Sequence, residues 1–223
     1  MAWPLLWLKR DSMFGNTAKV KEIIKRLSKE YPEAKTELHF GNPFELLAAT
    51  ILSAQATDVG VNRVTERLFK KYKSIKDFAD ANPAELEKDV SSINFYKNKA
   101  KNIKASARII IEQFKGKVPQ TMEELVTLPG VARKTANIVL TNSFGIHEGI
   151  AVDTHVRRLS QRLGITHHED PVKIERDLME LTPKEQWGGI SHMLILHGRR
   201  ICTARAPKHK ECVLFDICPS NNI

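Results

Sequence analysis

Asn42-Pro43-Phe44-Glu45, Asn82-Pro83-Ala84-Glu85 and Thr182-Pro183-Lys184-Glu185 repeat one four-residue pattern. In each, a side chain that accepts hydrogen bonds is followed by proline and, three residues on, by glutamate. The accepting oxygen satisfies orphan N–H groups at a helix start, proline removes an N–H that has no helical partner, and glutamate reaches back to the cap. Each instance predicts a helix start. Thr121-Met122-Glu123-Glu124 repeats the pattern without proline, and Asp170-Pro171 without glutamate. Between these signals apolar residues recur three and four apart, as at Val20, Ile23, Ile24 and Leu27, the spacing of one helix face. Alternating strand patterns are nearly absent. The expectation is an all-α chain with helices near 16–30, 43–54, 59–71, 83–91, 98–115, 121–127, 133–143, 154–163, 171–180 and 184–199.

With 223 residues, 42% of them hydrophobic, the chain can bury one large or two small cores, which argues against disorder. Lys and Arg number 35 against 26 Asp and Glu, a net charge of +9. That surplus favours a polyanionic partner, nucleic acid first. No apolar run reaches the roughly 18 residues that cross a bilayer, and no membrane role is expected. Residues 1–14 read as an N-terminal extension, and either Met1 or Met13 is compatible with a start of translation. The three cysteines, at 202, 212 and 218, are too few and too clustered for a disulfide scaffold. They point to metal in a reducing, cytoplasmic compartment.

Leu128-Pro129-Gly130-Val131-Ala132-Arg133-Lys134-Thr135 separates two predicted helices. Pro-Gly enforces a tight reversal, and the N–H groups of the helix that follows are suited to holding a phosphate that Gly130 lets approach closely. An ordinary αα-hairpin explains Pro-Gly equally well. The basic balance and Arg133-Lys134 favour the phosphate. An amine attacks only when neutral, and a place in the first turn of a helix beside Arg133 disfavours the ammonium of Lys134.

Residues 128–140, LPGVARKTANIVL, resemble the helix-hairpin-helix of the endonuclease III family, DNA glycosylases and abasic-site lyases of base excision repair. Further stretches match in the family's order: Ser53-Ala54-Gln55-Ala56-Thr57-Asp58, Asn94-Phe95-Tyr96-Lys97-Asn98-Lys99-Ala100, Ala151-Val152-Asp153-Thr154-His155, and His197-Gly198-Arg199 before the cysteines. The resemblance spans roughly residues 15–220. It implies that Lys134 is the Schiff-base nucleophile and Asp153 the second catalytic carboxylate, a role compatible with Asp153 also capping a helix. It implies that DNA is met by Gly130, Val131, Ala132, Arg133 and His155, and that Gln55 with the Ile93-Asn94-Phe95 loop fills the gap left by an extruded base. Phe95 stands where the family commonly has Leu.

The family's iron-sulfur signature is Cys, six residues, Cys, two residues, Cys, five residues, Cys. Here nine residues separate Cys202 from Cys212 and five separate Cys212 from Cys218, and position 209, where the remaining ligand belongs, is His. Imidazole ligates cluster iron in Rieske centres. The expectation is a four-iron four-sulfur cluster on Cys202, His209, Cys212 and Cys218, with an altered cluster, zinc or no metal as alternatives. Arg205, Lys208 and Lys210 would turn this loop toward the phosphate backbone.

The implied architecture is a helical domain at 37–145 carrying the hairpin, and a discontinuous cluster domain of 15–36 with 146–223. Double-stranded DNA with damaged bases would lie between them, with Lys134 and Asp153 facing each other across the cleft. The implied enzyme is a monomer, associated with the nucleoid, that removes oxidised pyrimidines and cleaves the abasic site. A monofunctional adenine or thymine mismatch glycosylase is the nearest alternative, disfavoured by Lys134. A non-catalytic helix-hairpin-helix module is the other.

Overall fold

A computed structural model describes residues 16–222, so the expected extension at 1–14 lies outside the described residues. These hold eleven α-helices and no strand. In chain order they are α1 (Thr17–Glu30), α2 (Pro43–Ser53), α3 (Asp58–Lys71), α4 (Ile75–Asp80), α5 (Pro83–Asp89), α6 (Tyr96–Phe114), α7 (Met122–Leu125), α8 (Arg133–Val139), α9 (Thr154–Arg162), α10 (Pro171–Leu181) and α11 (Trp187–Arg200). No helix among them is long and apolar enough to cross a membrane. The chain divides into two compact units. One is Thr36–Glu148; the other joins the described residues up to Lys35 to those from Gly149 onward.

The continuous unit is organised around α2, in which Phe44, Leu46, Leu47, Ala48, Ala49, Thr50, Ile51 and Leu52 are all buried. A helix apolar on every side belongs at the centre of a core. Its cap is the one the sequence predicts: Asn42 Oδ1 accepts from the Glu45 N–H at 3.0 Å. The same holds at α5, where Asn82 Oδ1 accepts from Ala84 and Glu85. Helix α4 is absent from the sequence expectation. Its cap is a Ser74–Asp77 capping box, without proline or glutamate, and six residues are too few to show a period. Long α6 lays Ala100, Ile103, Ala107 and Ile110 against the core. Past α8 the coil widens to a π-helical turn, Leu140–Phe144, closed by Gly145 at φ +66°.

In the discontinuous unit Val20, Ile23, Ile24 and Leu27 of α1 are buried, as their spacing predicts, together with Val156 and Leu159 of α9, Ile174 and Leu178 of α10, and Ile190 and Leu194 of α11. The Thr182 pattern opens its helix as a 3₁₀ turn, without the side-chain cap it predicts. Pro183 is extended, a 3₁₀ turn covers Lys184–Gln186, and α11 starts only at Trp187. The indole decides this: Trp187 Nε1 donates to the Thr182 carbonyl at 2.9 Å. The C-terminal loop is tied to α1 through Arg26, whose guanidinium grips both oxygens of Asp216 and the Val213 carbonyl at 2.5–3.1 Å. Leu214 is buried beneath that grip.

Burial holds the His192 imidazole of α11 at a pKa of about 4, below the ordinary 6.5. Between pH 6.5 and 4 the unfolded chain therefore binds a proton that the folded chain refuses. Stability falls as pH drops through that window. The Tm is expected to decline from pH 6.5 to 4, and His192→Asn to flatten that decline.

Candidate functional site

The hairpin between α7 and α8 is built from buried anchors and a bare tip. Leu128 and Val131 are buried, and the Val131 N–H returns to the Leu128 carbonyl at 3.1 Å. Val131 thus serves the turn with both side chain and N–H, and it does not offer them to a phosphate as the sequence reading expected. Gly130 stands at φ +79°, and a Cβ there would lie 2.7 Å from Asn102 Nδ2 and 3.1 Å from Asn102 Cβ. Ser106 Oγ donates to the Pro129 carbonyl at 3.1 Å. Both partners belong to α6, and neither was legible in the sequence. Gly130, Ala132, Arg133 and Lys134 are exposed. Ala132 caps α8 without a side-chain bond, so the cap itself leaves the helix start's N–H groups unshielded. Lys134 lies in the first turn of α8, its ammonium held by no neighbouring side chain among the described residues. Arg133 reaches the Glu148 carbonyl at 3.4 Å.

Two further expected contacts share an uncommon backbone. Gln55, after α2, has φ +55°, and Phe95, before α6, has φ +58°; both are exposed, Phe95 at 64%. Left-handed non-glycine residues cost about 1–3 kcal/mol and persist where the surroundings impose them. Ile93 is different. At 5% exposure it belongs to the apolar core, so its placement in the wedge is corrected: an apolar residue two positions from Phe95 fills the core while Phe95 points to solvent.

Asp153 caps α9, its Oδ1 accepting from the N–H groups of His155 and Val156, both at 2.8 Å. Oδ2 accepts no hydrogen bond among the described residues. One oxygen therefore suffices for the cap and the other stays open. His155 is half-buried, its pKa lowered by burial, and its ring packs on Gly198, where a Cβ would come within 3.1 Å of His155 Cβ, His155 Nδ1 and Arg158 Nη2.

The basic face of α9 turns largely to the cysteine segment. Arg158 Nη2 donates to the Gly198 and Cys202 carbonyls at 2.8 and 3.0 Å. Arg162 Nη1 donates to Cys202 Sγ at 3.3 Å and to the Thr203 carbonyl at 2.8 Å, and Nη2 to the Ala204 carbonyl at 2.9 Å. Cys202, His209, Cys212 and Cys218 line one pocket with Arg162 and Phe215. Cys212 Sγ is 3.4 Å from His197 Nε2, and the other ring nitrogen of His197 is 3.1 Å from the Tyr31 hydroxyl. Burial lowers the His197 pKa to about 4 and raises those of Cys212 and Cys218. His209 opens a 3₁₀ turn, its ring 5.9 Å from that of Phe215. No three His, Cys, Asp or Glu side chains among the described residues converge closely enough for a single metal ion. Arg205, Lys208 and Lys210 are exposed, and Lys208 pairs with Glu211 at 3.5 Å. Arg158, Arg162 and His197 were missed as supports of this loop. Arg157, Arg158 and Arg162 give α9 a basic face in the sequence, but local spacing does not say which way it turns.

Residues 48–184 match the HhH-GPD superfamily of base excision DNA repair proteins. The chain is 51% identical over 208 residues to endonuclease III of Synechocystis sp., covering 93% of this chain and 95% of that one. It is 47% identical to endonuclease III of Bacillus subtilis, covering 91% and 93%. The chain belongs to the endonuclease III family. A trapped endonuclease III–DNA covalent intermediate superposes with a TM-score of 0.88 at 42% identity, covering 92% of this chain and 97% of that one. In this chain Gly130→Ala is expected to strain the hairpin against Asn102. It should cost about 1–3 kcal/mol of stability, read as a lower Tm, and weaken binding to duplex DNA in a titration.

Proposed function

We propose that this chain removes oxidised pyrimidines from duplex DNA and then cleaves the abasic strand, with Lys134 as nucleophile. The observation that carries the reading is an exposed, unpaired lysine in the first turn of α8, directly after the hairpin, in a member of the endonuclease III family. A damaged nucleotide rotates out of the duplex at a cost of a few kcal/mol, least for a poorly stacked lesion. Gln55 and Phe95 occupy the gap. The neutral Lys134 amine attacks C1′ and the base departs with the glycosidic electron pair. The nitrogen gives up a proton and the C1′–O4′ bond opens, with O4′ taking a proton. The resulting iminium acidifies the C2′ proton, whose removal breaks the C3′–O bond and expels the 3′ phosphate by β-elimination. The open Oδ2 of Asp153 suits it to stabilising positive charge on the sugar and to moving protons there. Backbone donors near Gly130 and Ala132, with Arg133 and His155, hold phosphates.

Cys202, His209, Cys212 and Cys218 fit a four-iron four-sulfur cluster. Three sulfurs and an imidazole, the donor types that bind cluster iron, line one pocket, and Arg162 donates to one of the sulfurs. When bound, the cluster would cross-link the loop that presents Arg205, Lys208 and Lys210 to DNA. The reading also places the enzyme in the cytoplasm, working as a monomer on nucleoid DNA.

Borohydride should trap wild-type protein on abasic duplex DNA, and Lys134→Gln should abolish the adduct. A wild type that excises bases without an adduct would be a monofunctional glycosylase; one that binds DNA and does neither would be a binding module. Asp153→Asn keeps a good N-cap, so its Tm should stay near wild type while turnover falls by about 10²–10⁴. Iron and acid-labile sulfide in equal amounts are expected from anaerobically purified protein, and zinc alone would refute the cluster assignment.

A further inference from the structure

Gln55 and Phe95 are left-handed without being glycine, and two donors account for how the first of them is held. Lys99, on α6, is only 6% exposed. Its ammonium donates to the Leu52 carbonyl at 2.8 Å and the Ala54 carbonyl at 2.5 Å. These are carbonyls that the end of α2 leaves without helical partners. Asn94 Nδ2, from the loop that carries Phe95, donates to the Gln55 carbonyl at 3.1 Å. The Ala56 N–H closes the turn onto the Ser53 carbonyl at 3.0 Å. Carbonyls 52, 54 and 55 are thus taken by side chains from a single neighbouring segment, 94–99. Helices more commonly end on a left-handed glycine whose own N–H groups satisfy these carbonyls. Here a buried cation with no carboxylate partner does so, and burial lowers its pKa. A glycine at 55 would adopt the backbone easily but would have no side chain to place in DNA.

We propose that Lys99 and Asn94 are positioning residues that lock Gln55 in its left-handed conformation and couple it to the Phe95 loop, so that the two side chains enter the duplex as one rigid wedge. This rests on the reading of Gln55 and Phe95 as the residues that fill the gap.

The test is single-turnover excision of an oxidised pyrimidine by the full-length protein. It is paired with the fluorescence of 2-aminopurine placed opposite an abasic analogue, which reports entry into the gap. Gln55→Ala should slow excision by up to about 100-fold, the scale of a misplaced contact, and abolish the fluorescence change. Lys99→Met should do the same, and the double variant should be no slower than the worse single, because both changes remove one action. Asn94→Ala, an exposed change that leaves the Tm near wild type, should show a smaller loss of the same kind that likewise vanishes in the Gln55→Ala background. It decides the matter if Lys99→Met does not fold. Losses that multiply, or a folded Lys99→Met at wild-type rate while Gln55→Ala is slow, overturn the clamp and leave the gap-filling reading intact. A Gln55→Ala protein at wild-type rate overturns the gap-filling reading itself.

Discussion

Every helix ends on carbonyls that no further turn will satisfy, and a small α-helical unit must find donors for those that are buried. In the continuous unit α6 answers much of that demand. Lys99 serves the end of α2, Lys104 donates to the Ala79 and Ala81 carbonyls at the end of α4, and Ser106 serves Pro129 in the hairpin. The register of one nineteen-residue helix therefore sets where three loops sit. Two of them, around Gln55 and Gly130, carry residues assigned to DNA, and a third such loop runs directly into α6 through Phe95. A hydrophobic core alone would tolerate a helix sliding by a fraction of a turn. Directed hydrogen bonds from three side chains spread over about two turns do not.

The discontinuous unit applies a related device with arginine. Arg26, Arg158 and Arg162 spend their guanidinium groups on backbone carbonyls and on Cys202 and Asp216, holding the loop from 202 to 218 from two sides. The planar guanidinium suits this because its several donors reach separate carbonyls from a fixed geometry. Positive charge that the composition assigns wholesale to DNA is thus divided. Arg158 and Arg162 work inward, while Arg205, Lys208 and Lys210 remain at the surface.

What the sequence disclosed, and what it withheld, follows the range of the forces involved. Caps at Asn42, Asn82, Asp153 and Asp170 were legible because their bonds span two or three residues. At Thr182 the start was legible but the cap was not, because a Trp187 side chain, five residues away, takes the Thr182 carbonyl and the helix opens as a 3₁₀ turn. Helix α4 escaped notice because six residues carry no period. Lys134 and Asp153 were marked by motif, and the structure adds that one is unencumbered and the other has an open oxygen. The left-handed turns at Gln55 and Phe95 gave no local sign, since the donors that impose the one at Gln55 lie 39 and 47 positions from the Gln55 and Leu52 carbonyls they hold. Ile93 and Val131 look like surface residues within their motifs, and only packing shows them to be buried.

The placement of α1 has a consequence for how the chain comes into being. Its apolar stripe leaves the ribosome early, yet its partner α11 begins at Trp187, on the far side of the whole continuous unit. At ordinary rates of synthesis α1 waits roughly 8–30 seconds for that partner. During that interval the continuous unit can complete its own core, whereas Val20, Ile23, Ile24 and Leu27 remain exposed. The order of emergence thus leaves the apolar stripe of nascent α1 open to a chaperone until α11 is made.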